Sequence, residues 1–410
     1  MNSPISLPNK RLAHAVLLAI VATPMFTLTP AHAESAPSVA QEVVLFESMV
    51  PKLEERDEAD AKRWAIAERM AAYNVPGTAV AIIQGGEIVM ATGYGHVAAG
   101  GDVAVDEHTV FSAGSVSKMV NAALILRLVQ AGKVDLDVDV NRYLQQWKVP
   151  DSRHSRKAKV TLRSLLSHTS GFSQHGFGDF MPGAALPTAL QTLNGESPAT
   201  HGRVQLRFTP GSEMAYSGGG ITVSQVLVED VTGLDYERAA REFVFEPLGM
   251  NRSTFANPLP ESHGNIAYAH DDQGRRVALP RGYESMPEIA ASGLWTSAHD
   301  MALFVQALLS NDQFLGAELR ADMLTRVPNS WHGLGPRLNG SGDALVFHHG
   351  GANNSYRAWV DGQVDQQNGF VVLTNGTEGR NLAYELRISA QAAFGWPIRL
   401  PEHFKQPSFD

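Results

Sequence analysis

Strand-forming runs stand near both ends of this chain, with helical runs between them. Early in the sequence, "GTAVAIIQGGEIVMATGYGHV" (77–97) places two β-branched segments on either side of Gly85-Gly86, the pattern of a hairpin. Late in it, "LVFHH", "SYRAWVD" and "GFVVLTN" (345–375) are further strand patterns separated by Gly-rich turns, and "LAYELRISAQAAF" follows with helical spacing. The intervening "MVNAALILRLVQAG", "TLRSLLSHTSG" and "ITVSQVLVEDVTG" carry apolar residues at three-and-four spacing, and each closes on glycine as helices do. The prediction is a mixed α/β (α+β) fold: one antiparallel β-sheet closed by the two ends of the chain and flanked by helices, with an inserted mostly helical lobe. The sheet lobe is expected over about 42–114 and 290–400 and the helical lobe over about 115–289, within a single domain from 34 to 410. Residues 42–73 are expected to form amphipathic helix interrupted near Pro51.

A core of that size is within reach of 410 residues that are 44% hydrophobic. The formal charge of -9, with no basic block, argues against a nucleic-acid groove, which needs clustered Lys and Arg. Cysteine is absent, which removes disulfides, thiolate metal ligands and a cysteine nucleophile. Residues 1–33 have the layout of an export signal peptide: Lys10 and Arg11, an apolar run from Leu12 to Ala22, then Ala31 and Ala33 as the small pair in "TPAHAES". Cleavage after Ala33 and a periplasmic or secreted mature protein are expected, with no membrane span beyond that segment.

"FSAGSVSKMV" (111–120) sets Ser115 three residues before Lys118. A serine hydroxyl is a weak nucleophile and needs a base within hydrogen-bond reach. At the start of a helix, Lys118 one turn on projects from the same face, and the free N–H of Ser115 is a candidate oxyanion donor. Ser-x-x-Lys alone is a weak signal. Two further motifs follow in order, "YSG" (216–218) and "HGG" (349–351), with "LLSHTSGF", "PGSEMAYS", "EPLGM" and "ASGLWTSAHDMA" among them. Together they make the chain resemble the serine β-lactamase and penicillin-binding-protein superfamily, in its class C-like branch of esterases, D-amino-acid peptidases and β-lactamases. The resemblance runs from about residue 42 to 396.

This resemblance implies roles for particular residues. Ser115 is the nucleophile and Lys118 shares its proton. Tyr216 is the general base for acylation and then for activating water, its phenolate favoured by the neighbouring ammonium. Gly350 and Gly351 lie on the strand that binds substrate, the backbone N–H of Ala352 is the second oxyanion donor, and His349 stands where the family has a lysine. Two departures bear on the substrate. Gly218 replaces the asparagine that ends the second motif in β-lactamases, so amide recognition falls to another residue, for which Gln174 is the candidate. His349 anchors a substrate carboxylate less firmly than lysine does, and Arg357 is the candidate replacement.

The expected activity is that of an exported serine hydrolase acting on a small-molecule ester, amide or peptidoglycan-like substrate through an acyl-enzyme on Ser115, with slow cephalosporin turnover at most. The alternative is a binding protein that acylates without turnover or holds peptidoglycan fragments. No cofactor and no metal are expected: adjacent His348 and His349 have no spaced third ligand, and "DLDVDVN" (135–141) lacks the glycine and glutamate of a calcium loop. Neither G-x-S-x-G nor H-E-x-x-H occurs. His168 is expected to satisfy a buried hydrogen bond rather than act as base, and "HGFGDFMPGAALP" (175–187) to lie over the cleft as a lid.

Overall fold

The computed structural model describes residues 38–48, 50–52, 62–180, 183–277 and 288–397. The export signal expected over 1–33 lies outside the described residues, as do 53–61 of the N-terminal helical pattern and 181–182 of the expected lid. The described helices are α1 (Val39–Ser48), α2 (Ile66–Ala72), α3 (Ser117–Gln130), α4 (Leu162–Leu166), α5 (Ala189–Asn194), α6 (Gly218–Thr232), α7 (Tyr236–Ala240), α8 (Glu246–Leu248), α9 (Ile289–Ser292), α10 (Ala298–Ser310), α11 (Ala317–Met323) and α12 (Gly379–Ala393). The strands are β1 (Gly77–Gln84), β2 (Glu87–Gly95), β3 (Phe111–Ser112), β4 (Trp295–Thr296), β5 (Arg337–Asn339), β6 (Val346–Ala352), β7 (Arg357–Gln363) and β8 (Asn368–Thr374).

Six strands form one antiparallel sheet in the order β2-β1-β8-β7-β6-β5, and β3 pairs with β4 in a separate ribbon. β1 pairs with β8, Thr78 opposite Thr374 and Ile83 opposite Gly369, so segments from the two ends of the chain meet in one sheet. Gly85 and Gly86 turn the first hairpin with φ of 58° and 86°, a region that strains residues with a Cβ.

Strand alternation divides the apolar residues between two cores. In β1, Val80 and Ile82 join the core shared with α1, α2 and α12, whereas Ala79, Ala81 and Ile83 join the larger core shared with α10 and the helical lobe. β8 does the same with Phe370 and Val372 against Val371 and Leu373. Both faces being covered, these strands read in the sequence as nearly continuous apolar runs. Two buried ion pairs fasten α12: Arg69 of α2 meets Glu385 at 2.8 and 2.9 Å, and Arg387 meets Asp361 of β7 at 2.6 and 2.9 Å.

Between the outer strands, α3 is buried over most of its circumference and runs through the larger core. The acidic run at 135–141 is structural: Asp137 pairs with Arg163 at 2.7 Å, and the Asp139 side chain accepts from the N–H of Asn141. No helix among the described residues is long and apolar enough to cross a membrane.

Candidate active site

The chain leaves β3 through Ala113 and enters a single 3-10 turn, Gly114–Val116, before α3 begins at Ser117. Ser115 therefore sits in this turn, two residues ahead of the α-helix. Gly114 has φ 50°, and a Cβ there would lie 2.8 Å from the backbone nitrogen of Ala352; a Cβ on Gly351 would lie 1.9 Å from the carbonyl oxygen of Ala113. Only glycine at both places lets the end of β6 close against the turn that carries Ser115. Ser117 fixes that turn, its Oγ donating to the Gly114 carbonyl (2.6 Å) and accepting from the N–H of Leu294 (2.9 Å).

Lys118, 2% exposed, has its Nζ in a defined place. It donates to the Ala291 carbonyl on α9 (2.7 Å) and to Ser115 Oγ (3.2 Å), and stands 4.8 Å from the centroid of the Tyr216 ring. Ser115 and Lys118 thus meet across one helical turn, as their spacing requires.

Tyr216 immediately precedes Ser217, the N-cap of α6, whose Oγ accepts from the N–H of Gly220 (2.8 Å) and donates to the Ser173 carbonyl (3.0 Å). The Ser217 N–H donates to Nδ1 of His168 (3.2 Å), and the His168 ring lies 4.3 Å from that of Tyr216. Burial holds His168 well below the ordinary imidazole range, reinforced by His332 and Lys118, so it is a neutral acceptor that positions Tyr216.

From β6, His349, Gly350, Gly351 and Ala352 line the same cleft, of about 350 Å³. Nδ1 of His349 lies 2.7 Å from the Gly350 carbonyl, which fixes the proton on Nδ1 and leaves Nε2 bare. Burial, then Arg337 and Lys118, push His349 well below its ordinary value, so it is uncharged. His348 instead stacks on Trp359 at 5.0 Å. Among the described residues, no group of three or more His, Cys, Asp or Glu is placed to hold a metal ion.

Gln174 does not fill the place expected of it. Its side chain donates to the Gly176 carbonyl (3.0 Å), and it does not line the cleft; its own carbonyl accepts from the N–H of Gly219 (3.1 Å), next to a Gly218 N–H donated to His175 (3.0 Å). A loop residue with φ 74° has no periodicity from which its direction could be read. His175, Phe177 and Asp179 line the cleft instead. A Cβ on Gly218 would lie 3.1 Å from the His175 carbonyl and 3.3 Å from the Phe177 ring, so this loop occupies the room an asparagine would need. The loop also reaches the sheet, where the Asp179 carboxylate accepts from the N–H of Asn354 (3.2 Å). Arg357 lines the cleft with its guanidinium donating to the carbonyls of Asn353 and Tyr356.

Two cleft residues escaped the sequence analysis. Arg337 of β5 has its guanidinium 5.6 Å from the centroid of the Tyr216 ring and a buried Nε without a hydrogen-bond partner. Glu288, just ahead of α9, is buried, and burial pushes its carboxyl up to about 7 against the pull of Lys118. Neither belongs to a motif; an isolated acid before the apolar "IAASGLW" was the only signal for Glu288.

A family model described as Beta-lactamase matches residues 63–394. The chain belongs to the beta-lactamase family. It is similar to Penicillin-binding protein 4 of Amycolatopsis lactamdurans, 33% identical over 195 residues that make up 46% of each chain. It is also similar to Esterase EstB of Burkholderia gladioli, 29% identical over 263 residues, 58% of this chain and 65% of that one. This beta-lactamase-family chain thus matches between 46% and 65% of the length of these two curated relatives. Its fold is like that of the octameric penicillin-binding protein homologue from Pyrococcus abyssi, with a TM-score of 0.64 at 24% identity, over 81% of this chain and 76% of the other.

Proposed function

We propose that this protein is an exported serine hydrolase that cleaves an ester or an amide through an acyl-enzyme on Ser115. The observation that carries the proposal is the 3.2 Å contact between Lys118 Nζ and Ser115 Oγ in a cleft that Tyr216 also lines. Ser115 Oγ attacks the substrate carbonyl while its proton passes to the Tyr216–Lys118 pair. The carbonyl oxygen, charged in the transition state, is received by the N–H groups of Ser115 and Ala352, each such donor contributing about 3 kcal/mol in comparable sites. Water then releases the acyl group.

Two features favour an ester or D-amino-acid peptide over an efficiently cleaved β-lactam. The 174–180 loop fills the space beside Gly218, and the neutral His349 offers no cation to a carboxylate. Similarity to an esterase supports the same choice. Export, to the periplasm or beyond, rests on the residue pattern at 1–33. Hydrolysis of p-nitrophenyl butyrate by the mature protein, beside Ser115→Ala, tests the proposal. Turnover that falls about 10⁴-fold or more in the variant is the expected result. Equal rates would remove Ser115 as nucleophile, and acylation without turnover would make the protein a binding module.

A further inference from the structure

Glu288 is a buried carboxyl that the chemistry of Ser115, Lys118 and Tyr216 leaves unused. It lines the same cleft as those three side chains and is 3% exposed. Its Oε2 is buried without a hydrogen-bond partner. Lys118, the cation acting on it, directs its own hydrogen bonds to Ala291 and Ser115. Burying a carboxyl in this way opposes folding, and the hydrogen bonds from its own N–H and from Ser292 offset only part of that, since the group stays raised. The carboxylates that serve architecture here, Glu385 and Asp361, each take two hydrogen bonds from an arginine.

We infer that Glu288 is a further catalytic residue of this site, giving a proton to the leaving atom of the substrate during acylation and taking one from the attacking water during deacylation. The inference rests on the serine-hydrolase proposal above and assigns the water-activating half of the cycle to Glu288 instead of Tyr216. In the first half, the Ser115 oxygen bonds to the carbonyl carbon and its proton goes to the Tyr216–Lys118 pair. As the bond to the leaving oxygen or nitrogen breaks, that atom takes the Glu288 proton. In the second half, the Glu288 carboxylate takes a proton from water as the water oxygen bonds to the acyl carbon, and the Tyr216–Lys118 pair returns its proton to Ser115 as the ester breaks. One water is consumed and every group is reset.

The electrostatics suit a group that must give and then take a proton. Burial raises the carboxyl to about 7, Lys118 on α3 favours its charged form and Asp179 on the loop opposes it. Arg337, Arg357 and Arg380 are the other fixed charges along the cleft.

Burst kinetics test the inference. p-Nitrophenolate departs without a proton, so acylation by p-nitrophenyl butyrate does not need Glu288, whereas deacylation does. Glu288→Gln is expected to release about one equivalent of p-nitrophenol in a burst and then turn over about 100-fold more slowly than wild type. With ethyl butyrate, whose alkoxide needs a proton, the same variant forms no acyl-enzyme. Glu288→Asp restores part of the steady-state rate. Turnover in Glu288→Gln within about threefold of wild type overturns the inference, as does a burst and a steady state that fall by the same factor. If Glu288→Gln does not fold, decay of the wild-type acyl-enzyme decides: it is expected to rise with pH through about 7, and a flat profile there overturns the assignment. Turnover of p-nitrophenyl butyrate that is unchanged in Ser115→Ala would instead overturn the serine-hydrolase proposal beneath it.

Discussion

Behind the sheet, Arg69 and Tyr73 both bond to Glu385, and Arg387 grips an Asp361 whose carboxylate also accepts from the indole N–H of Trp359. Around the cleft, Glu288 Oε2, Arg337 Nε and the Nε2 atoms of His168, His332 and His349 are buried with no hydrogen-bond partner. The two regions place carboxyls in equally dry surroundings and hold them in different ways, although behind the sheet Arg387 Nη1 and the indole nitrogen of Trp396 are also buried without a hydrogen-bond partner. Behind the sheet, pairing offsets desolvation and fixes α12 on β7 and α2. Around the cleft, the unpaired atoms stay available to a substrate and its protons, at a cost in stability that the paired region must cover.

The largest effect expected from this contrast is catalytic. Ser115→Ala lowers esterase activity by about 10⁴-fold or more, equivalent to about 5.5 kcal/mol, while leaving the midpoint of thermal unfolding in place. Next comes a stability effect with no catalytic counterpart. Asp361→Ala leaves Arg387 buried without its partner and costs about 3–5 kcal/mol in urea unfolding, with kcat/KM per folded molecule unchanged. A catalytic loss in that variant would blur the division between the two regions.

A smaller effect appears against pH. Burial lowers His332 to about 3, with Arg337 adding to the shift, so between about 6.5 and 3 the unfolded chain binds a proton that the folded chain does not. Stability therefore falls as pH drops through that window, and His332→Gln should make the fall shallower in acid-titrated unfolding. An unchanged slope would mean that the His332 ring is solvated. The smallest effect is at Gly218→Ala, where a new Cβ meets the His175 carbonyl at 3.1 Å and the Phe177 ring at 3.3 Å. The loop gives by a few tenths of an ångström, stability changes by less than about 1 kcal/mol, and KM for esters shifts a few-fold.

What the sequence conveyed follows the same line. The sheet and its closure were legible because β1, β7 and β8 are covered on both faces and their apolar runs have no other use. That Ser115, Lys118 and Tyr216 come together in one cleft was legible because one helical turn and one N-cap dictate where they can point. The position of α3 was off by two residues because Gly114–Val116 winds as a 3-10 turn, a distinction that spacing alone does not draw. Gln174 was misjudged because the direction of a loop side chain is set by its tertiary partners, here the Gly176 carbonyl. Glu288 and Arg337 were missed for a related reason: burial is what makes them unusual, and burial comes from elements distant in sequence.

The central claim is that this cleft carries out chemistry on Ser115 and turns over. Mixing wild-type protein with p-nitrophenyl butyrate, quenching in acid within seconds, and mapping the peptides by mass spectrometry tests it most directly. One butyryl group on the peptide containing Ser115, disappearing as substrate is exhausted, is the predicted result. An adduct on any other side chain, or release of p-nitrophenol at the same rate by Ser115→Ala, would contradict the account.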